Sequence, residues 1–433
     1  MTTEAETSAL ADTMNETAAS RTLGESDART GGRTSEGAGG EGADAAFLRG
    51  VLQRIATGPT MSKDLTRAEA ARAMRLVLEG RADEVQAGIF LIALRMKRET
   101  DDELAGILDA IQAGTEPLPL DVDSLVTLVD PYDGYLRGTP LAPFLPAVLA
   151  AAGVATLAHG TAEMGPKFGA SHARVLAAAG APVAASAEAA RAALDDPEVG
   201  WCHALQSAIA PELAALEALR TRIVKRPCLT TVEVAINAFR PRGATHLVTG
   251  FVHKGYPAIY AALAKAGGFD GVTVVRGVEG GVVPSLSQTS RVFTGSFAGA
   301  SADPSASASP DLSSGGEGGL RETPLDPASL GLAHTERAVP LPPELVEEAD
   351  GRVRSVSAPG NPFARALAGH AAEVGLAALD GERGMARDSL VYAGAVVLFG
   401  AGVSDTIEAG AERVRAVLDD GSARARLFAR PSR

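Results

Sequence analysis

The residues best suited to chemistry in this sequence are charged or titratable side chains that stand beside glycines. Two such groups come early in the chain: Asp133-Gly134 with Thr139 close behind, and His159-Gly160 with Lys167 close behind. A glycine-containing loop ahead of a helix can hold a phosphate with its backbone amides, lysine adds a point charge, and histidine can donate or accept a proton. These groups indicate a site for an anionic ligand. An ordinary strand-to-helix turn and a structural histidine are the alternatives.

Further basic residues stand in three later segments of the chain. They are Arg220 and Arg226 in the densest basic cluster, His253 and Lys254 before Gly255, and Arg276 before Gly277. In the same cluster Arg222 and Arg226 share a face at helical spacing, which suits either an anionic ligand or the neighbouring glutamates. Glu279 is the carboxylate placed to meet a metal ion or a substrate amine. The sequence contains no zinc, Walker, Rossmann or catalytic-triad pattern, so it names no catalytic residue.

The elements that must position these residues belong to an α/β fold with a mainly parallel central sheet flanked by helices. After Pro119, short apolar segments alternate with helical ones, which is typical of βαβ units. The candidate residues follow the predicted strands, and parallel sheets bind ligands at their carboxyl ends. The predicted strands are Leu125–Val129, Val154–Ala158, His246–Val252 and Val272–Val275, and later helices are predicted at 361–378, 390–399 and 404–419.

The composition of the remaining chain predicts a tail, a helical domain and an insertion. Residues 45–118 predict a small helical domain, because two capping boxes, Thr66 with Glu69 and Thr100 with Glu103, begin helices there. Residues 1–44 predict a disordered acidic tail, and residues 119–433 the α/β domain. A Ser-, Gly- and Ala-rich stretch at 294–326 predicts a flexible insertion in that domain, and a linker between two separate domains is the alternative.

Charge and cysteine content exclude several classes of protein. The 433 residues carry 40 Lys+Arg and 53 Asp+Glu, a net charge of −13, of which nearly half belongs to the tail. Two cysteines exclude a disulfide framework and a four-cysteine zinc site. The acidic start does not fit a signal peptide, so a cytoplasmic protein is predicted. The uncharged residues 139–158 have the length of a membrane span, but their prolines and glycine favour a buried helix and strand, so no membrane contact is predicted.

Several longer strings carry a resemblance to a known family. These strings are Asp64–Ala70, Gln86–Lys97, Ala152–Gly160 and Ala393–Gly410. They resemble the anthranilate phosphoribosyltransferase group, also called glycosyltransferase family 3, which has the pyrimidine nucleoside phosphorylases as distant relatives. The resemblance covers roughly Phe47 to Gly421. It implies a phosphoribosyltransferase-like fold, a homodimer, phosphoribosyl pyrophosphate as substrate, Mg²⁺ as cofactor and a place in tryptophan biosynthesis.

The chain departs from that family where the family binds pyrophosphate and magnesium. The family's Gly-Thr-Gly-Gly-Asp-Gly loop is replaced by Val129–Gly134, in which only Asp133-Gly134 matches, and its acidic pair is reduced to Glu279. Arg220 matches the family's arginine for the aromatic acid. Strings such as Lys225–Glu233 and Gly250–His253 resemble a divergent branch of the family more closely, and some relatives there are implicated in binding nucleic acid.

Three functions follow as hypotheses. The first is a glycosyltransferase that transfers a pentosyl or phosphoribosyl group in a remodelled site. The second is a non-catalytic nucleic-acid-binding dimer, which the net charge disfavours. The third is a pseudoenzyme scaffold. The predicted ligand is an anionic small molecule, and Glu279 is the predicted metal ligand. The predicted substrate or phosphate contacts are Asp133, Gly134, Thr139, His159, Gly160, Lys167, Arg220, Arg226, His253, Lys254 and Arg276.

Overall fold

The computed structural model describes residues 35–58, 60–297, 319–346 and 358–432. The chain divides into two units, Met1–Ala46 and Phe47–Arg433, and the candidate site lies in the second. Most of the predicted acidic tail lies outside the described residues. Its last part does not fit the prediction, because the helix that buries Leu48, Val51 and Ile55 already begins at Ser35.

Four helices form the amino-terminal bundle: α1 (Ser35–Ile55), α2 (Arg67–Leu78), α3 (Glu84–Lys97) and α4 (Asp101–Ala113). Both predicted capping boxes are present at the starts of α2 and α4. Glu103 also accepts a hydrogen bond from the Leu65 amide at 2.8 Å and pairs with Lys97 at 2.8 Å. A capping carboxylate therefore also ties α4 to the end of α3 and to the segment that enters α2.

The central sheet has seven strands in the order β4-β3-β2-β6-β7-β8-β9, and a separate two-stranded sheet joins β1 and β5. Strands β2, β3, β4, β6 and β7 run parallel, whereas β8 and β9 are antiparallel additions at one edge. The strands are β1 (Leu118–Pro119), β2 (Leu125–Val129), β3 (Thr156–Gly160), β4 (Trp201–Leu205), β5 (Phe239–Arg240), β6 (Thr245–Gly250), β7 (Gly271–Val275), β8 (Ser290–Ser296) and β9 (Arg321–Leu325). The predicted mainly parallel sheet is confirmed.

Helices cover both faces of the sheet. They are α5 (Leu145–Ala151), α6 (His172–Ala178), α7 (Ala187–Asp195), α8 (Gln206–Ile209), α9 (Pro211–Ala214), α10 (Glu217–Ile223), α11 (Leu229–Val232), α12 (Tyr256–Ala266), α13 (Pro362–Leu379), α14 (Met385–Gly400), α15 (Ile407–Asp419) and α16 (Ser422–Phe428). One core lies between the sheet and α5, α6 and α13–α16. The second core joins the opposite face of the sheet to the helical bundle. Within the described residues, no helix combines the length and the apolar character that a membrane crossing requires.

Several of the predicted elements need correction, and among them the strand predicted at His246–Val252 ends at Gly250. Strand β3 continues to Gly160, so His159 and Gly160 are strand residues and do not belong to the loop that follows. Strand β4 was not predicted. The segment predicted as a flexible insertion is too wide, because Thr294–Ser296 ends β8 and Arg321–Leu325 forms β9, with Thr294 paired to Arg321. Residues 298–318 of that segment lie outside the described part of the chain.

Candidate functional site at the carboxyl edge of the sheet

Asp130 is the first residue after β2, and it organises three loops. Its carboxylate accepts hydrogen bonds from the Val282 amide at 2.9 Å and from the Tyr135 hydroxyl, and it pairs with His172 Nε2 at 2.9 Å. Asp130 is buried, and so are Tyr135 and His172. Burial, followed by the charge of Asp130, raises the pKa of Tyr135 well above its usual value. Sequence reasoning missed this cluster, although a carboxylate directly after a central strand was a signal for it.

Two predicted cations meet on the predicted carboxylate Asp133. The Arg226 guanidinium donates to Asp133 Oδ2 from Nε at 2.8 Å and from Nη2 at 2.5 Å. Lys167 Nζ lies 3.3 Å from Asp133 Oδ1 and donates to the Gly134 carbonyl at 2.6 Å. Asp133 is only 1% exposed, whereas Arg226 reaches solvent. The loop after β2, the loop after β3 and the segment after α10 therefore converge here.

Glu279 lies in the turn after β7 and reaches the same loop. Its carboxylate accepts from the Arg137 amide at 2.6 Å and from the Leu136 amide at 3.3 Å. Lys167 Nζ is 3.8 Å from Glu279 Oε2. Two backbone amides and one ammonium group therefore surround a carboxylate that sequence reasoning assigned to a metal ion.

The amide and hydroxyl of Thr139, predicted to contact a ligand, are both used within the protein. The Thr139 amide donates to the Val339 carbonyl at 3.3 Å, and the hydroxyl donates to the Pro340 carbonyl at 3.2 Å. The segment around residues 338–340 packs over this part of the loop, and Thr139 is buried. The structure therefore does not support Thr139 as a ligand contact.

His159 belongs to a buried polar network behind the loop. Its Nδ1 atom hydrogen-bonds the Tyr132 hydroxyl, and its Nε2 atom has no hydrogen-bond partner among the described residues. Burial lowers the pKa of His159 to about 3. The imidazole is therefore neutral at physiological pH and is a weak base. Gly160, which follows it, lies in β3 close to Tyr132 and His203.

Arg220 belongs to the same network and does not reach the surface. It donates to both carboxylate oxygens of Glu233, at 2.6 and 2.9 Å, and Gln206 Nε2 donates to Glu233 at 3.2 Å. The Arg220 side chain is 1% exposed. Sequence reasoning predicted a substrate contact, but the guanidinium is committed to Glu233, because a buried carboxylate needs a compensating cation.

The last three predicted cations lie on the exposed loops after β6 and β7. His253 and Lys254 are exposed, and so is Arg276 at the end of β7. These two loops are neighbours, since a Cβ added to Gly280 would lie 3.2 Å from Val252 Cγ2. The structure therefore places these three residues near the Glu279 turn. Within the described part of the chain, none of them takes part in the ion pairs of Asp133, Lys167 and Glu279.

The side chains that are present do not fit a protein-held magnesium ion. Among the described residues, no group of three or more His, Cys, Asp or Glu side chains could hold a metal ion. Glu279, the predicted metal ligand, is already engaged by two amides, and Asp133 by Arg226. A magnesium site needs carboxylate oxygens that are free to bind the ion, whereas the oxygens of these two carboxylates contact amides and cations of the protein.

Comparison with known proteins agrees with this architecture. Residues 49–113 match the family described as "Glycosyl transferase family, helical bundle domain". The chain is 26% identical over 380 residues to anthranilate phosphoribosyltransferase from Anaeromyxobacter sp. (strain K), covering 87% of this chain and 97% of the relative. The corresponding enzyme from Solibacter usitatus is 28% identical over 371 residues, covering 84% of this chain and 93% of the relative.

Solved structures share the fold. Anthranilate phosphoribosyltransferase from Thermus thermophilus has a TM-score of 0.62 at 20% identity, covering 88% of this chain and 97% of its own. Over most of its length the chain is similar to the anthranilate phosphoribosyltransferases. The Saccharomyces cerevisiae enzyme in complex with phosphoribosyl pyrophosphate and Mg has a TM-score of 0.63 at 13% identity, covering 88% of this chain and 96% of its own. The resemblance predicted from the sequence is confirmed.

The structure brings together only part of the predicted site. Asp133, Gly134, Lys167, Arg226 and Glu279 form one cluster at the carboxyl edge of the sheet. Arg220 and Thr139 are committed elsewhere. The roles of all these residues toward a ligand, the homodimer and the cytoplasmic location stay predictions.

Proposed function

We propose that this chain is a glycosyltransferase that transfers a pentosyl or phosphoribosyl group at the carboxyl edge of its sheet, with a remodelled anion site. One observation carries the proposal: Lys167 and Arg226 converge on the Asp133-Gly134 loop, at the edge where parallel sheets bind ligands. A lysine and an arginine would there supply the positive charge that the family's glycine-rich loop and magnesium supply in other members.

The transfer reaction depends more on positive charge beside the leaving phosphate than on a general base. The bond from the sugar carbon to the leaving phosphate breaks as the sugar becomes cationic, and negative charge develops on the leaving oxygens. Arg226 can form paired hydrogen bonds with phosphate oxygens, and Lys167 adds a point charge. Asp133 holds both cations in place before the ligand arrives.

We assign no general base to this site. The pKa of His159 is lowered to about 3, which leaves the imidazole far less basic than an effective catalyst at neutral pH. The pKa values of Tyr132 and Tyr135 are raised well above their usual value by burial, so both remain protonated. The acceptor would therefore attack the cationic sugar with its own lone pair as the bond to the leaving phosphate breaks, and it would release its proton to water.

We assign the charge of the leaving group to side chains of the protein and give magnesium no role in the proposed step. The yeast relative was solved with phosphoribosyl pyrophosphate and Mg. In this chain Asp133 is taken by Arg226 and Lys167, which leaves Glu279 as a single carboxylate in place of the family's acidic pair. The anion's charge is assigned to Lys167 and Arg226 instead.

A nucleic-acid phosphate backbone is the second candidate ligand. Its support is the exposure of Arg137, Lys254 and Arg276 around the same loops, because polyanions bind to exposed basic side chains. If neither ligand binds, the scaffold hypothesis remains.

Calorimetric titration can separate these functions. The full-length protein would be titrated with phosphoribosyl pyrophosphate, with and without Mg²⁺, and separately with short single-stranded DNA. The matched variants are Arg226→Ala and Arg222→Ala, since Arg222 pairs with Glu84 away from Asp133. We expect phosphoribosyl pyrophosphate to bind and Arg226→Ala, but not Arg222→Ala, to weaken it. Heat with DNA alone would favour the second candidate, and heat with neither would refute both.

A further inference from the structure

We infer that the Glu279 carboxylate is a built-in competitor for the anion site, so that a phosphorylated ligand must displace it from the loop after β2. The inference rests on the proposed function and concerns how the same site is controlled. It differs from the metal-ligand role that the sequence indicated for Glu279.

The contacts of Glu279 are those that a bound phosphate oxygen would make. The amides of Leu136 and Arg137 donate to the carboxylate at 3.3 and 2.6 Å. Lys167 stands 3.8 Å away. Successive backbone amides and a lysine are the usual donors to phosphate in glycine-containing loops, and charge-assisted hydrogen bonds of this kind are the strong ones. The carboxylate therefore occupies an anion cradle.

The backbone at Glu279 supports this interpretation. Its φ of 52° lies in the left-handed region, which is uncommon for a residue that carries a Cβ. Gly280 follows with φ of 89°, and the Val278 amide donates to the Val283 carbonyl at 2.9 Å to close the turn. Strained backbone conformations concentrate at functional sites and need surrounding contacts to persist. Here the turn projects a carboxylate toward the loop that would hold the ligand.

The surrounding charges explain why displacement is feasible. The Glu279 side chain is 12% exposed, so it is not sealed in the core. Lys167 would remain beside Asp133 and the Gly134 carbonyl after Glu279 leaves. The vacated cradle would then keep two amide donors and one ammonium group for the incoming anion.

The test measures pyrophosphate binding by calorimetry in the wild-type protein and in Glu279→Ala. We expect Glu279→Ala to bind about ten-fold more tightly, the effect of roughly one charge-assisted hydrogen bond. Glu279→Gln should lie between the two, and it keeps the experiment informative if the alanine variant does not fold. The matched control is Glu322→Ala, which removes an exposed carboxylate paired with Arg291 on the β8–β9 edge and should change nothing.

Adding Lys167→Met to Glu279→Ala should remove the gain. Equal or weaker pyrophosphate binding by Glu279→Ala, or a loss of binding that depends on Mg²⁺, would overturn the inference. If the wild-type protein binds pyrophosphate and phosphoribosyl pyrophosphate but the variant shows no gain, only this inference fails. If no variant binds either ligand, the proposed function fails with it.

Discussion

Arg220 and Glu233 form an ion pair that water does not reach. Arg220 donates to both carboxylate oxygens, at 2.6 and 2.9 Å, and the two side chains are 1% and 0% exposed. The pair links α10 to the turn after α11, behind the cluster of Asp133, Lys167 and Arg226. The pair joins the two segments behind the candidate site, and its burial keeps the guanidinium away from a ligand at the surface, although Arg220 Nε has no hydrogen-bond partner among the described residues.

Removing one partner of this pair should be costly. We expect Arg220→Met to lower the free energy of unfolding by about 3–5 kcal/mol, because Glu233 would be left as an uncompensated buried charge. The double variant Arg220→Met, Glu233→Met should recover much of that loss, because it buries no charge. Urea unfolding of the full-length protein measures both. As a control, Arg242→Ala breaks an exposed pair with Asp121 and should cost less than about 1 kcal/mol. A loss as small in Arg220→Met would contradict the structural role.

Buried His159 should make stability fall as the pH drops below neutrality. The unfolded chain takes up a proton near pH 6.5, whereas the folded chain does not until about pH 3. Between these values the unfolded state binds the extra proton, so stability falls by about 1.4 kcal/mol for each pH unit. Above pH 6.5 this contribution is constant.

His159→Asn tests this pH dependence. Asparagine can keep a hydrogen bond to Tyr132 but does not titrate, so the slope of unfolding free energy between pH 6.5 and 4 should decrease by one proton. The matched control is His253→Asn, which removes an imidazole on an exposed loop. An unchanged slope in His159→Asn would show that the imidazole titrates alike in both states.

Gly281 should be intolerant of any side chain. A Cβ there would overlap the Tyr135 hydroxyl and lie 2.8 Å from Asp130 Oδ2. We expect Gly281→Ala to separate Tyr135 from Asp130 and to destabilise the protein by about 1–3 kcal/mol, the usual cost of overpacking. Gly369 in α13 is the matched control, because nothing lies within 4 Å of its added Cβ. Gly369→Ala should stabilise by roughly 0.5–1 kcal/mol. Thermal melting of both variants measures the contrast, and equal shifts would argue against the packing described.

The predicted homodimer can be tested on α3. Val85, Ile89 and Met96 are 69%, 41% and 75% exposed, and their spacing places them along one side of the helix. We expect the 44.1 kDa chain to sediment as a dimer and Ile89→Asp to shift it toward the monomer. Unchanged sedimentation of the variant would direct attention to another surface.

Local signals explain what the sequence could predict. The capping boxes at Thr66 and Thr100, and the strand Leu125–Val129, each depend on a few adjacent residues. Strand β4 was not predicted because its residues, Trp201–Leu205, include no β-branched side chain. The edge strands β8 and β9 were not predicted because they are largely polar, and only Val292 and Leu325 are buried in them.

The candidate site depends on contacts between residues that are far apart in the sequence, and no local sequence pattern predicts such contacts. Asp130 meets His172 from 42 residues away, and Glu279 meets Arg137 from 142 residues away. Sequence reasoning could place these residues after strands, and that part of the prediction agrees with the structure. It could not tell a cation that faces solvent from one neutralised by a carboxylate, because that depends on which loops the sheet brings together.

The antiparallel pairing of β8 and β9 has a practical consequence for protein engineering. Thr294 lies opposite Arg321 and Ser290 opposite Leu325, so the chain leaves the sheet and returns to it at neighbouring positions. Closing a longer connection there adds only about 0.6 kcal/mol for each doubling of its length. We therefore expect an insertion of a reporter domain or an affinity tag between β8 and β9 to cost little stability, at the edge of the sheet opposite β4.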